Sequence, residues 1–397
     1  MLVAILLLIL SPYTAIIPGL YAMIGVFTRR FRLYLNTWNI GLFALFLISI
    51  VSGIINKSML SITASLMLLM YFCISIVMED SFNSEGKIIS FYIALLYFSV
   101  IPGIIGIVEK ICSHFFNITL IKRLIYVTPE VDGRICSTFS NPNIAGGWFA
   151  AMLLIAVFFW SRNEIKHRLT LVLLVLLYSA NLLLSGSRGA IMGLASGMLV
   201  LLIMKKGWRK LIMPGIILCL ITLISLIPGK GSIINSLMGH QLSSSFISRY
   251  PIWKGTVEMI FEKPVFGWGL MGIYEKGSLF FDPYKVAFHA HNIWLSMLSM
   301  LGFIGFYVYL IVRVYVIYGL STLKRNNCSL TPLLASIQAL VIVHGLVDFV
   351  IIVPQTGILF VTCCAFINSL SRSFSTTPQL HQLPAWPLGI TSKYRTD

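Results

Sequence analysis

The chain has 397 residues, of which 58% are hydrophobic and only 11% charged, with a formal net charge of +16. Ordinary soluble domains carry about 25% charged residues, so this chain cannot furnish the polar surface that a soluble fold of its length needs. Its basic residues are scattered through short segments between apolar runs, which argues against nucleic-acid binding and for lysines and arginines that hold a membrane topology.

The apolar runs are about 17–25 residues long, enough to cross roughly 30 Å of hydrocarbon as a helix. Only a helix satisfies its own backbone in lipid, and the short alternating segments of a β-barrel are absent. The expected fold is all-α: a polytopic transmembrane helical bundle of about eleven spans, with a large extracytoplasmic loop containing amphipathic helices. In chain order the spans fall near 3–26, 36–55, 59–78, 88–108, 144–160, 169–185, 190–204, 211–227, 292–312, 331–349 and 351–370. The opening run Met1–Leu10 lacks a basic n-region and a small-residue cleavage site, and reads as a retained span, not a signal peptide.

Basic clusters set the expected orientation. Arg29, Arg30 and Arg32, then Arg162, Lys166 and Arg168, then Lys205, Lys206, Arg209 and Lys210, then Lys324 and Arg325 all fall on one side under this span order. That side is expected to be the cytoplasm. The loop 79–87 opposes the pattern with Glu79, Asp80 and Glu85 against Lys87, but acidic residues count little in this rule. Two long loops, 109–143 and 228–291, are then outside, and loops of such length are uncommon unless they have a function. Residues 1–370 read as one transmembrane domain that includes the loop 228–291, and residues 371–397 as a flexible cytoplasmic tail. There are seven cysteines and no CxxC. Cys73, Cys219, Cys363 and Cys364 lie in apolar runs, where a thiol packs as a small hydrophobe. Cys112 and Cys136 share one loop, where a disulfide and two thiols are both open readings.

Several polar residues stand out against this background. Gly186-Ser187-Arg188-Gly189 separates two short apolar segments and reads as a hairpin tip holding an arginine. Ionisable groups there are costly and usually functional, and a planar guanidinium suits bidentate phosphate binding; the plainer reading is an interface anchor. Arg249 opens an amphipathic stretch to Phe261 that would lie along the membrane surface, with a snorkelling arginine as the plainer alternative. His291 sits where the large loop re-enters the membrane, a place for a base near neutral pH or simply for a capping side chain. Its neighbour His289 is expected to point elsewhere. Asn292 and the Asn141-Pro142-Asn143 run are suited to helix N-caps, and Gly302 and Gly305 to close helix contact. His344 and Asp348 are four apart, share a helix face and are expected to pair within the bundle. Arg313 is expected to snorkel to the cytoplasm. Two arginines and a histidine on one face suggest an anionic, phosphate-bearing substrate, with the acceptor hydroxyl near the histidine. No P-loop or Gly-rich nucleotide fingerprint appears, which disfavours an ATP-driven pump and a transferase with a soluble nucleotide-sugar domain.

At these residues the chain resembles the bacterial O-antigen ligase and O-antigen polymerase superfamily. The likeness covers roughly residues 130–360. It lies in Arg134 to Ala145 with Phe139-Ser140-Asn141-Pro142-Asn143, in Ser187-Arg188-Gly189-Ala190, and in Arg249 with Trp253 followed by Pro264-Val265-Phe266-Gly267-Trp268-Gly269. It continues in His291-Asn292 with Gly302 and Gly305, and in His344-Gly345-Leu346-Val347-Asp348-Phe349 with Pro354. Each motif is short; their order and spacing carry the resemblance. It implies a metal-independent membrane glycosyltransferase, without cofactor, in the bacterial inner membrane, its active site facing the periplasm or cell exterior. Such an enzyme moves a glycan from an undecaprenyl-pyrophosphate-linked donor to a lipid- or glycan-bearing acceptor. By the match, Arg188 and Arg249 would hold the pyrophosphate and His291 would activate the acceptor, with Asn141, Asn143, Trp253 and Asn292 as further substrate-binding candidates. Family ligases usually have twelve spans with both termini inside; eleven spans with the large loop outside put the amino terminus outside, which a missing early span or an upstream start would explain. The first reading is an O-antigen ligase-like enzyme of surface polysaccharide or lipopolysaccharide assembly, with a polysaccharide polymerase of the same superfamily as the alternative; the residues alone do not separate the two. A transporter is the alternative from another class, but it should show inverted repeats and charges near the midplane, and no repeat is visible. A purely structural assembly protein would not need the arginine and histidine set.

Overall fold

The computed structural model describes residues 1–115, 133–162, 165, 168–204, 242–281 and 287–374. Among them the regular elements are helical, with no β-strand. In chain order they are α1 Leu2–Leu10, α2 Ile16–Phe27, α3 Thr37–Ile55, α4 Met59–Ser81, α5 Glu85–Phe98, α6 Val100–Phe115 and α7 Pro142–Arg162. There follow α8 Arg168–Leu184, α9 Arg188–Met204, α10 Leu242–Glu262, α11 Gly272–Lys276, α12 Ile293–Arg325, α13 Thr331–His344 and α14 Pro354–Ser373.

Five stretches among the described residues are long and apolar enough to cross a membrane: α3, α4, the α5–α6 stretch Glu85–Cys112, α7 and α12. Shorter apolar helices, α2, α8, α9 and α13, complete much of the bundle. The expected first span, 3–26, is instead two helices. Ser11 is extended, as the residue before Pro12 prefers, and breaks the run between α1 and α2. The expected span 211–227, the start of the large loop and the tail beyond residue 374 lie outside the described residues. Cys112 and Cys136 form no disulfide with one another.

The centre of the bundle is α7, almost entirely buried along its length. Against it pack α8 and α9, and α9 lies closely along α13. That approach depends on glycines: a Cβ at Gly193 or Gly197 would come within 2.8 Å of the Leu340 carbonyl and 2.9 Å of the Ser336 carbonyl. This is the small-xxx-small spacing that lets membrane helices meet backbone to backbone. The pairing runs antiparallel, so the start of α9 lies beside the end of α13.

Two charged residues sit differently from expectation. Arg313 is buried, not snorkelling: it donates to Gln338 Oε1 at 2.7 Å and lies over the Phe360 ring. A charge inside a bundle is tolerated when so partnered. Glu79 is not a loop residue but part of α4, fully buried. Its carboxylate accepts from Asn36, Asn39, Asn368 and Arg372, tying α3, α4 and α14 at one end of the bundle.

Candidate active site

The large-loop signature acts first as a splice. Gly302 breaks α12 with φ 64° and ψ −172°, a conformation essentially reserved for glycine. The carbonyls of Ser299 and Met300 then accept from the Trp268 and Gly269 amides at 2.8 and 2.9 Å. Gly267 and Gly269 take positive φ to deliver them. Trp268 is anchored by its indole N–H to Met259 O at 2.8 Å and lies under the Lys263 ammonium. So Gly302 does permit close approach, but of the loop backbone and not of another helix. Gly305 does not: the nearest atoms to an added Cβ there all belong to Leu301 of its own helix.

This splice holds α10 against α12 and so places Arg249 and Trp253. Trp253 donates its indole N–H to Ala290 O at 2.8 Å. On the other side, Ser187 Oγ accepts from the Ala190 amide and caps α9, setting Arg188 at its first turn. Arg188 thus begins a helix instead of crowning the turn. Arg134 links this turn to the start of α7, donating to Ser185 O at 2.6 Å and to Asn143 Oδ1 at 2.7 Å. Arg134, Asn143, Arg188, Arg249, Trp253, His344 and Asp348 line one cavity of about 170 Å³ with the glycines and Ser187 of the turn. The first turns of α7 and α9 both reach it through Asn143 and Arg188, and helix N-termini favour anions.

Beside the cavity lies a histidine pair. His291 takes φ +48°, just ahead of α12. Its Nδ1 is 3.3 Å from Asp348 Oδ1, and His289 Nε2 is 3.7 Å from the same oxygen. His289 therefore does not point elsewhere; because the helix begins only at Ile293, both rings turn to Asp348, with centroids 4.5 Å apart. His291 itself does not line the cavity and meets it through Asp348. Burial, and then the neighbouring His291, push the His289 imidazole down to about 4. The expected His344–Asp348 pair is not formed, since Asp348 serves the other two histidines and the Phe349 amide. One ligand atom each from His289, His291 and Asp348 lie within 4.8 Å of one another, an arrangement able to hold a divalent cation.

Asn141 and Asn292 do what caps do. Asn141 Oδ1 accepts from the Asn143 amide at 2.7 Å, and Asn292 Oδ1 from the Trp294 and Leu295 amides. Neither lines the cavity. The third arginine, Arg134, stands in the sequence only at the start of a motif; nothing in its local pattern marks it as a cavity residue, because its bond to Ser185 O beside the turn spans 51 residues.

A family model for O-antigen ligase matches residues 173–310. The matched stretch is similar to the O-antigen ligase family. The match covers about a third of the chain. The matched segment contains Arg188, Arg249, Trp253 and His291, while Arg134, Asn143, His344 and Asp348 reach the same site from outside it. No curated protein is significantly similar to the chain. The match supports an O-antigen ligase-type membrane enzyme.

Proposed function

We propose that the protein is a metal-independent glycosyltransferase that moves a glycan from an undecaprenyl-pyrophosphate-linked donor to an acceptor hydroxyl outside the cytoplasm. The observation that carries this reading is the convergence of Arg134, Arg188 and Arg249 on one cavity whose wall includes Asp348, the partner of His291. The donor's diphosphate would sit among the guanidinium groups. As the bond from the sugar carbon to the diphosphate oxygen breaks, that oxygen takes the electron pair, and fixed positive groups stabilise it without reorganising. Asp348 on Nδ1 holds the His291 tautomer that leaves Nε2 as the lone-pair nitrogen. Nε2 takes the acceptor proton while the acceptor oxygen bonds to the sugar carbon. Asp348 is a positioning residue here.

The decisive experiment is reconstitution of the purified protein with an undecaprenyl-pyrophosphate glycan and, in separate arms, a lipid A-core acceptor or a second lipid-linked repeat unit. Transfer to the first makes it a ligase and transfer to the second a polymerase; transfer to neither, with the glycan carried across the bilayer, would replace the reading by transport. Chelator should leave transfer intact. Added Zn²⁺ should inhibit, because a metal on the histidine pair and Asp348 removes the base. Loss of transfer in chelator, restored by a metal, would sink the metal-independent mechanism.

A further inference from the structure

His344 ends α13 with its side chain fully enclosed, yet it contributes to the wall of the arginine-lined cavity. Neither Nδ1 nor Nε2 has a hydrogen-bond partner among the described residues. Buried polar groups are satisfied in the great majority of cases, and an exception calls for a cause. Asp348 does not supply one, because its carboxylate faces His291 and His289.

The surroundings are shaped to the ring. A Cβ at Gly147 of α7 would lie 3.0 Å from Cε1 and 3.1 Å from Nδ1. A Cβ at Gly189 of α9 would lie 2.9 Å from Cδ2 and 3.3 Å from Nε2. Gly193, one turn further, meets the His344 Cβ at 3.2 Å in the same construction. Gly189 lines the cavity and Gly147 does not, so Nε2 is the nitrogen on the side of the cavity-lining glycine. A residue needed only to fill this slot would be apolar, since an apolar ring of the same shape avoids the desolvation of two ring nitrogens.

We infer that His344 is a further donor-binding residue, whose Nε2–H donates to an oxygen of the diphosphate held by Arg188 and Arg249. The inference rests on the diphosphate-donor reading above. The neutral imidazole adds a directed hydrogen bond among guanidinium groups without adding a fourth positive charge. It also joins α13 to the ligand, so that α7, α9, α10 and α13 each present a polar side chain to one anion.

The test uses the purified full chain in lipid nanodiscs and two probes, undecaprenyl pyrophosphate and undecaprenol, which lacks the phosphates. His344→Phe should melt at or above the wild-type temperature, because it replaces unsatisfied polar atoms by a ring of similar shape. Its affinity for undecaprenyl pyrophosphate should fall about ten- to a hundredfold, the size of one hydrogen bond to a charged group. Its affinity for undecaprenol should not change. His344→Gln keeps an N–H at similar reach and should fall between Phe and wild type. Unchanged pyrophosphate affinity in His344→Phe overturns the assignment, as does an equal loss for both lipids or a protein that no longer folds with either substitution. A wild-type protein that does not bind undecaprenyl pyrophosphate at all overturns the donor reading itself, a result separable from the others.

Discussion

Arg188 stands in the first turn of α9, and its guanidinium offers two parallel N–H groups in one plane, which a lysine ammonium cannot reproduce. Arg188→Lys is therefore expected to raise the donor KM by about tenfold or more while leaving the acceptor KM near wild type. Donor kinetics equal to wild type would remove the bidentate contact. His291→Ala should lower kcat by about 10²–10⁴ with donor binding kept, the usual worth of a general base. His289→Ala should lose less, since its ring lies farther from Asp348 and does not hand a proton to the site. Equal losses would make the pair structural. The buried His289 ring also makes stability depend on pH. The ordinary histidine value is 6.5, and in the folded protein His289 is held at about 4. Between these values the unfolded chain binds more protons than the folded one, so stability rises with pH across that window. The full contribution is present above about 6.5 and is lost as pH falls toward 4. A melting curve series from pH 4 to 7 should therefore be flatter for His289→Gln than for wild type; identical slopes would assign the acid sensitivity elsewhere.

The break in α12 and the loop that fills it form one device, and each half is meaningless without the other. Gly302 frees two carbonyls, and the Gly267–Gly269 turn supplies the amides that satisfy them, as buried backbone groups require. Gly302→Ala forces a side chain into a φ/ψ region that costs about 1–3 kcal/mol, and its Cβ would collide with the Val265 carbonyl. A lowered melting temperature and weakened donor binding are expected together, because α10 carries Arg249 on the far side of the splice. Gly305→Ala should cost less, as Gly305 takes no positive φ and the nearest neighbours of an added Cβ belong to Leu301 of its own helix and not to the loop backbone. Equal melting temperatures for wild type and Gly302→Ala would show that the splice is not what holds the loop. The helical class, the chain break at Gly186-Ser187 and the caps at Asn141 and Asn292 were legible because each is written within a few neighbouring residues; the tight hairpin was not, since α8 and α9 pack on α7 and not along one another, and Arg188 begins α9. The convergence on Asp348 was not. Helical spacing placed His344 and Asp348 on one face, but α13 ends at His344, so the carboxylate turns away to a loop more than fifty residues distant in sequence. Arg313 misled for a similar reason: a position near a span's end invites snorkelling, and only the facing Gln338 shows why it turns inward.

Across the whole molecule, apolar side chains face outward on many helices, among them Ile16, Leu20 and Ile24 of α2, Ile54 of α3, Leu173 and Leu176 of α8, and Val314 and Ile317 of α12. Exposed apolar side chains in this number are what lipid covers and water does not. The cavity lies at one end of this bundle, by the starts of α7, α9 and α12. The opposite ends of α7 and α12 carry Arg162, Lys324 and Arg325, and Arg162 donates to Ser329 O beside them. Even the part of α12 beyond the Gly302 break, residues 303–325, is long enough at 1.5 Å per residue to set those basic residues about 30 Å or more along the bundle from the break. Basic residues favour the cytoplasmic side, so the cavity should open on the other side, where an extracytoplasmic acceptor could reach it. Ser278 offers the test, because it is exposed in the segment between α10 and α12. With the native cysteines replaced and Ser278→Cys introduced, a membrane-impermeant maleimide added from outside the cytoplasmic membrane should label this position without lysis. Replacement of Lys324 and Arg325 by glutamine should not by itself alter that labelling, since the other basic groups act in the same sense. Labelling of position 278 only after the cytoplasm is opened would invert the bundle, and an acceptor outside the cytoplasm would then have no route to His291.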